Sequence, residues 1–186
     1  MSIPSTRDAI IELAQEAIAA RGYSSFSFRE LAAGLGIKSA SIHYHFPTKT
    51  HLGVEVARQY RLRFHAALTE YAVGDHSPRE ALDYLVNIYR HEAQTSQRMT
   101  VCMMLATEIK NLPAEIQREM VEFYALNLGW ISTQLVHMGL DVAESGEKSR
   151  QIFALLQGGL MGAKSQGEPG YFDAVAKGIR KLVENQ

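Results

Sequence analysis

The chain has 186 residues, 46 % of them hydrophobic, with 19 basic against 20 acidic side chains and a net charge of −1. That is the size of one globular domain or two small ones, with enough apolar surface for a core, which excludes a disordered, collagen-like or low-complexity chain. The longest uninterrupted apolar run, Val101 to Ala106, falls far short of the ~18 residues a membrane-spanning helix needs, and the first residues form no apolar leader, so a cytoplasmic protein without a membrane partner is expected.

The charge is divided unevenly. Residues 1–65 hold 8 basic and 5 acidic side chains and four of the seven histidines, a surplus of +3, while the remainder carries −4. The basic end is where a polyanion would bind. One cysteine, Cys102, allows no internal disulfide and no cysteine-based zinc cage.

Apolar residues recur at spacings of three and four almost throughout, and no run alternates with period two for long enough to make a strand. About nine helices are expected. The first runs from about Thr6 to Arg21, with Ser5 and Asp8 in capping positions, Ile10, Ala14, Ala17 and Ile18 on one face and Gly22 as a stop. Short helices follow near Phe28 to Leu35 and Ala40 to Phe46. A long fourth starts near Lys49, carries the stripe Leu52, Val56, Tyr60, Phe64 and Leu68, and ends at Val73 to His76. Ser77-Pro78-Arg79-Glu80 starts a fifth, which reaches about Gln94. A sixth spans about Thr100 to Lys110, a seventh Pro113 to Gly139, an eighth Gly146 to Gln166 and a ninth Tyr171 to Val183.

The informative stretch is Ser27 to Lys49. Ser27 and Glu30 form a capping box, Leu31 and Leu35 an inward face, Gly36 permits a tight turn, and Ile37, Ile42 and Phe46 continue the buried side. This is a helix-turn-helix pattern, in which the first helix buttresses a second that enters the major groove of double-stranded DNA. Ser39, Ala40, Ser41 and His43 are compact enough to approach base edges, while Tyr44, His45 and Lys49 can grip phosphates.

The same residues resemble the TetR family of transcriptional regulators. The resemblance rests on Gly22-Tyr23, Ser27, Leu31-Ala32, Gly36-Ile37 and above all Ser41-Ile42-His43-Tyr44-His45-Phe46-Pro47-Thr48-Lys49, and it covers residues 6 to about 55. It implies that Ser27, Tyr44 and Lys49 contact the DNA backbone and that Ser39, Ser41 and His43 face bases. Two positions depart from the family's pattern. Lys38 stands where a small hydroxyl residue commonly caps the recognition helix, so the cap either stays there or moves to Ser39, and Lys38 is free to add a phosphate or guanine contact. Phe26 replaces a common threonine, which removes one phosphate contact.

Other constellations carry competing readings. His43 and His45 lie two apart on a helix, point to different faces and cannot chelate one ion, so no metal or other cofactor is expected. Cys102, in the apolar sixth helix, is either a buried small hydrophobe or a sensor of oxidants and electrophiles. Met99, Met103, Met104, Met120, Phe123, Tyr124, Trp130 and Met138 either fill a core or line an adaptable apolar pocket between the fifth, sixth and seventh helices, with Cys102 in its wall and Tyr84, Tyr89 and His137 as polar fixtures. The last two helices offer a dimer interface through Ile152, Leu155, Leu156, Gly159, Ala163, Phe172, Val175, Ile179 and Leu182, unless Gly158, Gly159 and Gly162 serve packing within one chain.

These readings combine into an all-α protein with a three-helix DNA-binding domain over residues 1–48 and a ligand-binding and dimerisation domain over residues 49–186. The function expected is a homodimeric repressor released from its operator by a small, partly apolar effector. An activator, or a redox- or electrophile-responsive regulator acting through Cys102, is the alternative. The chain holds no P-loop, dinucleotide fingerprint, nucleophile elbow or HExxH pair, so no enzyme is expected. A helical carrier of apolar ligands would leave the pattern of residues 27–49 unexplained.

Overall fold

The computed structural model describes residues 5–95 and 98–184. Met1 to Pro4, part of the stretch in which no leader is read, lie outside the described residues. All regular structure among the described residues is helical: α1 (Thr6–Arg21), α2 (Phe28–Leu35), α3 (Ser39–His45), α4 (Lys49–Val73), α5 (Pro78–Thr95), α6 (Val101–Thr107), a single 3-10 turn (Ile109–Asn111), α7 (Ala114–His137), α8 (Val142–Gln166) and α9 (Pro169–Glu184). None is long and apolar enough to cross a membrane.

Most expected ends fall within two residues of the observed ones, and the larger differences have local reasons. α6 stops at Thr107 instead of Lys110, because Pro113 keeps Leu112 extended (φ −77°, ψ 147°) and the chain tightens into the 3-10 turn before it. α8 begins four residues early because Asp141 caps it, its Oδ1 accepting from the Glu144 amide at 2.9 Å. α9 begins at Pro169, whose fixed φ suits a first helical position. α3 starts at Ser39 with Lys38 as its N-cap and no side-chain cap, so the cap does not move to Ser39.

The chain falls into two compact units, residues 1–62 with 99–123 and residues 63–98 with 124–186. α4 and α7 therefore contribute to both, and compactness divides the chain elsewhere than after Thr48. In the first unit α1 packs on α2, α3 and α6 over Ile10, Ile11, Ala14, Ile18, Leu31, Ile42 and Phe46, all buried. Gly53 lets Tyr23 and Ile116 close onto α4, since a Cβ there would stand 2.6 Å from each side chain.

In the second unit α8 and α9 pack on each other and both pack on α5. Gly159 permits this close approach, for its Cβ would lie 2.9 Å from Val175 and 3.2 Å from Phe172. Most of the residues expected at a dimer interface are covered within the single chain. Ile152, Leu156, Gly159, Ala163, Phe172 and Ile179 are buried within the single chain, Val175 and Leu182 are half-buried, and only Leu155 is exposed. Two consecutive helices joined at Gly167 and Glu168 cover their own apolar stripes first. Periodicity marks which face is apolar but not which neighbour covers it.

Candidate DNA-binding site

The site begins at the cap of α2. The Ser27 hydroxyl accepts from the Glu30 amide at 3.3 Å and donates to Glu30 Oε2, which also accepts from the Ser27 amide at 2.8 Å. The box fixes the start of α2 and occupies the hydroxyl that the family resemblance assigns to phosphate. Gly36, in the left-handed region at φ 65°, ends α2, and its amide and that of Ile37 bond back to α2 carbonyls. Three residues after Gly36, α3 begins.

α3 is seated by one fully buried side chain, Ile42, and by Phe46 directly after it. The opposite face looks outward. Tyr44 is 85 % exposed, Lys38 and His43 are exposed, and Ser39, Ser41 and His45 are half-exposed. The helix contains no carboxylate, so no fixed negative charge on it opposes a phosphate. Phe28 meets the His43 ring edge-on at 4.9 Å, and Tyr44 meets His45 at 5.2 Å. A shallow hollow beside α3 is bordered by Thr6, Ile37, Ala40, Ser41, Tyr44 and His45.

Lys49 is tied into the fold. Its ammonium donates to the Ser24 carbonyl at 3.2 Å and lies over the rings of Tyr23 and Phe26 at 4.8 and 4.5 Å. Burial lowers its pKa from the ordinary lysine value, and the charges of Glu108 and Glu30 act the other way. Phe26, unusual against the family pattern, is thus half of an aromatic seat for Lys49.

Glu55 anchors the start of α1 to α4. It accepts from Arg58 at 2.6 Å and from Gln59 at 2.9 Å, and it pairs with Arg7 at 3.1 Å, whose guanidinium lies 5.3 Å from the Phe46 ring centre. Burial acts to raise the Glu55 carboxyl, but the hydrogen bonds from Gln59, Arg58 and Arg7 outweigh it and hold the pKa below the ordinary 4.5. A carboxyl depressed in the folded state contributes stability above its unfolded pKa and loses it as pH falls through the folded one. Urea unfolding between about pH 5 and pH 3 is therefore expected to show a loss of stability that Glu55→Gln reduces.

The residues expected to line an effector pocket are divided between the units. Cys102, Met103, Met104 and Phe123 belong to the first, and Tyr84, Tyr89, Tyr124, Trp130 and His137 to the second. In the first, Cys102 is 4 % exposed and its sulfur lies 3.2 Å from the Thr100 hydroxyl and 4.0 Å from that of Tyr60, whose ring faces Phe123 at 5.8 Å. That burial favours the core reading of the cysteine. In the second, the Tyr89 hydroxyl accepts from Gln157 at 3.0 Å, Tyr124 packs edge-on against Phe153, and Trp130 is buried with no partner for its indole N–H among the described residues. Tyr84 stacks flat on Tyr71 at 4.0 Å, and His137 is exposed. A hollow of about 210 Å³ in this unit is lined instead by Ala93, Gln94, Thr95, Ala163, Lys164, Gly167 and Pro169. No cluster of three or more metal-ligating side chains occurs among the described residues.

Around α3 the structure also brings Thr6 to the border of the hollow and Phe28 against the His43 ring, neighbours that the sequence reading does not single out because they come from other helices.

Residues 10–56 match the family model described as bacterial regulatory proteins, tetR family. No curated protein matches the chain. Among solved structures, a TetR transcriptional regulator from Legionella pneumophila is 30 % identical, with a TM-score of 0.94 over 99 % of this chain and 100 % of that one. A TetR-family regulator from Agrobacterium tumefaciens is 26 % identical, with a TM-score of 0.85 over 96 % and 95 %. A protein from Saccharomonospora viridis, described as a transcriptional regulator and solved in complex with choline, shares the fold at 23 % identity and a TM-score of 0.80 over 97 % and 96 %. With its helix-turn-helix matched by the family model and its whole length by the Legionella regulator, the chain belongs to the TetR family of transcriptional regulators.

Proposed function

We propose that this protein is a cytoplasmic, homodimeric repressor that binds a two-fold-symmetric operator through α3 and leaves it when a small, partly apolar molecule binds. The observation that carries this reading is Tyr44: a tyrosine 85 % exposed on a short helix whose opposite side is fully buried is a reading surface without its partner. Ser39, Ser41 and His43 face bases, and Lys38, Tyr44 and His45 face phosphates. Ser27 and Lys49 act from their tied positions, the first by ordering the start of α2 and the second at the edge of the duplex.

Residues 1–48 read DNA, and residues 49–186 bind the effector and the second copy. Dimerisation uses the outward side of α8 and α9, where Ala154, Leu155, Gly158, Met161, Tyr171, Ala174 and Gly178 are exposed and uncharged. Two reading helices then engage successive major grooves about 34 Å apart. An effector of small size is supported by the choline complex of the similarly folded Saccharomonospora protein. It must bind the released conformer more tightly than the DNA-bound one, since equal affinity shifts nothing.

Selection of bound fragments from sheared DNA of the source organism tests the reading. A symmetric site with two half-sites one helical turn apart is expected. If ligand-free protein, verified by mass analysis after denaturation, selects no sequence, the proposal fails.

A further inference from the structure

Glu108 stands between α6 and the 3-10 turn, and its carboxylate reaches across to the turn that joins α1 to α2. Its Oε2 accepts from the Ser24 amide at 3.0 Å and from the Ser24 hydroxyl at 2.7 Å. Room for it exists because residue 22 is glycine: a Cβ there would lie 1.9 Å from Glu108 Oε1. On the other side of the same residue, Lys49 donates to the Ser24 carbonyl from its seat over Tyr23 and Phe26. Ser24 is thus held by an anion at its N–H and a cation at its C=O.

The turn already closes locally, through the Gly22 amide on Ile18 and the Ser25 hydroxyl on Arg21, so a carboxylate from 84 residues away is not needed to make it. What the carboxylate adds is a fixed position. The turn runs straight into the Ser27 capping box, which sets α2, and α2 seats α3. α6 and α1 also pack together in this same compact unit.

We infer that Glu108 is a positioning residue for DNA recognition, tying the α1–α2 turn to the end of α6 so that the pose of the reading helix depends on where α6 ends. This rests on the DNA-binding reading of α3 given above. Withdrawing the carboxylate, by substitution or by movement of the α6 end, loosens the turn and weakens DNA binding while every side chain on α3 stays intact. Charge-assisted hydrogen bonds are short and directional, which is what a positional tie requires.

The test uses the full chain and the DNA fragment selected by the parent protein. Affinity is measured for Glu108→Ala, Glu108→Gln, Ser24→Ala and the Glu108→Ala/Ser24→Ala pair, alongside amide hydrogen exchange of the peptide containing residues 22–26. Glu108→Ala is expected to weaken binding about tenfold and to speed exchange in the turn, with Glu108→Gln in between. The pair should be no weaker than Glu108→Ala alone, because the tie is already cut. If Glu108→Ala does not fold, Glu108→Gln and Ser24→Ala carry the same comparison. Affinity within about twofold of the parent, or lost affinity with unchanged exchange in the turn, overturns this inference and leaves the reading of α3 standing. A parent protein that selects no DNA overturns both.

Discussion

Replacing Ile42 with alanine is expected to remove DNA binding and to cost about 2–5 kcal/mol of stability, the range for deleting a buried branched side chain. Ile42 is the one buried residue of a seven-residue helix, and a helix so short has no stability of its own in water. Its place is held by packing of Ile42, with Phe46 just beyond, against the first unit's core. Truncation leaves a cavity under α3 and frees the helix to fray, so the outward residues lose their common orientation. Urea unfolding gives the stability change, and binding to the selected fragment gives the functional one. An unchanged midpoint would mean that α3 is held by something other than Ile42.

Phe172→Ala is expected to destabilise the second unit by about 3–5 kcal/mol. Phe172 is fully buried, lies against the open side of Gly159, and faces the Tyr89 ring at 6.5 Å. It therefore joins α9 to α8 and α5 at one point. Its loss is expected to lower the unfolding midpoint and, because the outward faces of α8 and α9 form the proposed contact between copies, to shift sedimentation toward monomer at low concentration. Leu155→Glu should shift sedimentation the same way with little change in the stability of the single chain, since Leu155 is already exposed. A Phe172→Ala protein as stable as the parent would contradict the packing described.

The helix-turn-helix was legible because its signals are local. Ser27 and Glu30 lie three apart, Gly36 needs a left-handed backbone, and Ile42 and Phe46 lie four apart on one face. Chemistry at fixed short spacing survives without knowledge of the rest of the chain. The same holds for the Ser77-Glu80 start of α5, where the Ser77 amide and hydroxyl donate to Glu80 at 2.8 and 2.7 Å.

What escaped the sequence depends on partners far along it. The stripe on α8 and α9 announces an apolar face, but the choice between Val175 of the same chain and a second copy is made by the tight Gly167-Glu168 joint and by Gly159. Tyr84 reads from the sequence as a polar fixture of a pocket, and only the return of the chain at His76 places Tyr71 between it and the imidazole in a stack of rings. Glu108 has no signature, because Ser24 and Gly22 lie more than eighty residues away.

The central claim, that the outward face of α3 reads DNA, is tested most directly by one titration. Affinity for the selected fragment is measured across salt concentration for the parent and for Tyr44→Ala, whose exposed side chain contributes little to the fold. The account predicts that log affinity falls steeply and linearly with log salt, as phosphate contacts release counterions, and that Tyr44→Ala binds about ten- to a hundredfold more weakly while remaining folded. Binding indifferent to salt, or equal for the two proteins, would contradict it.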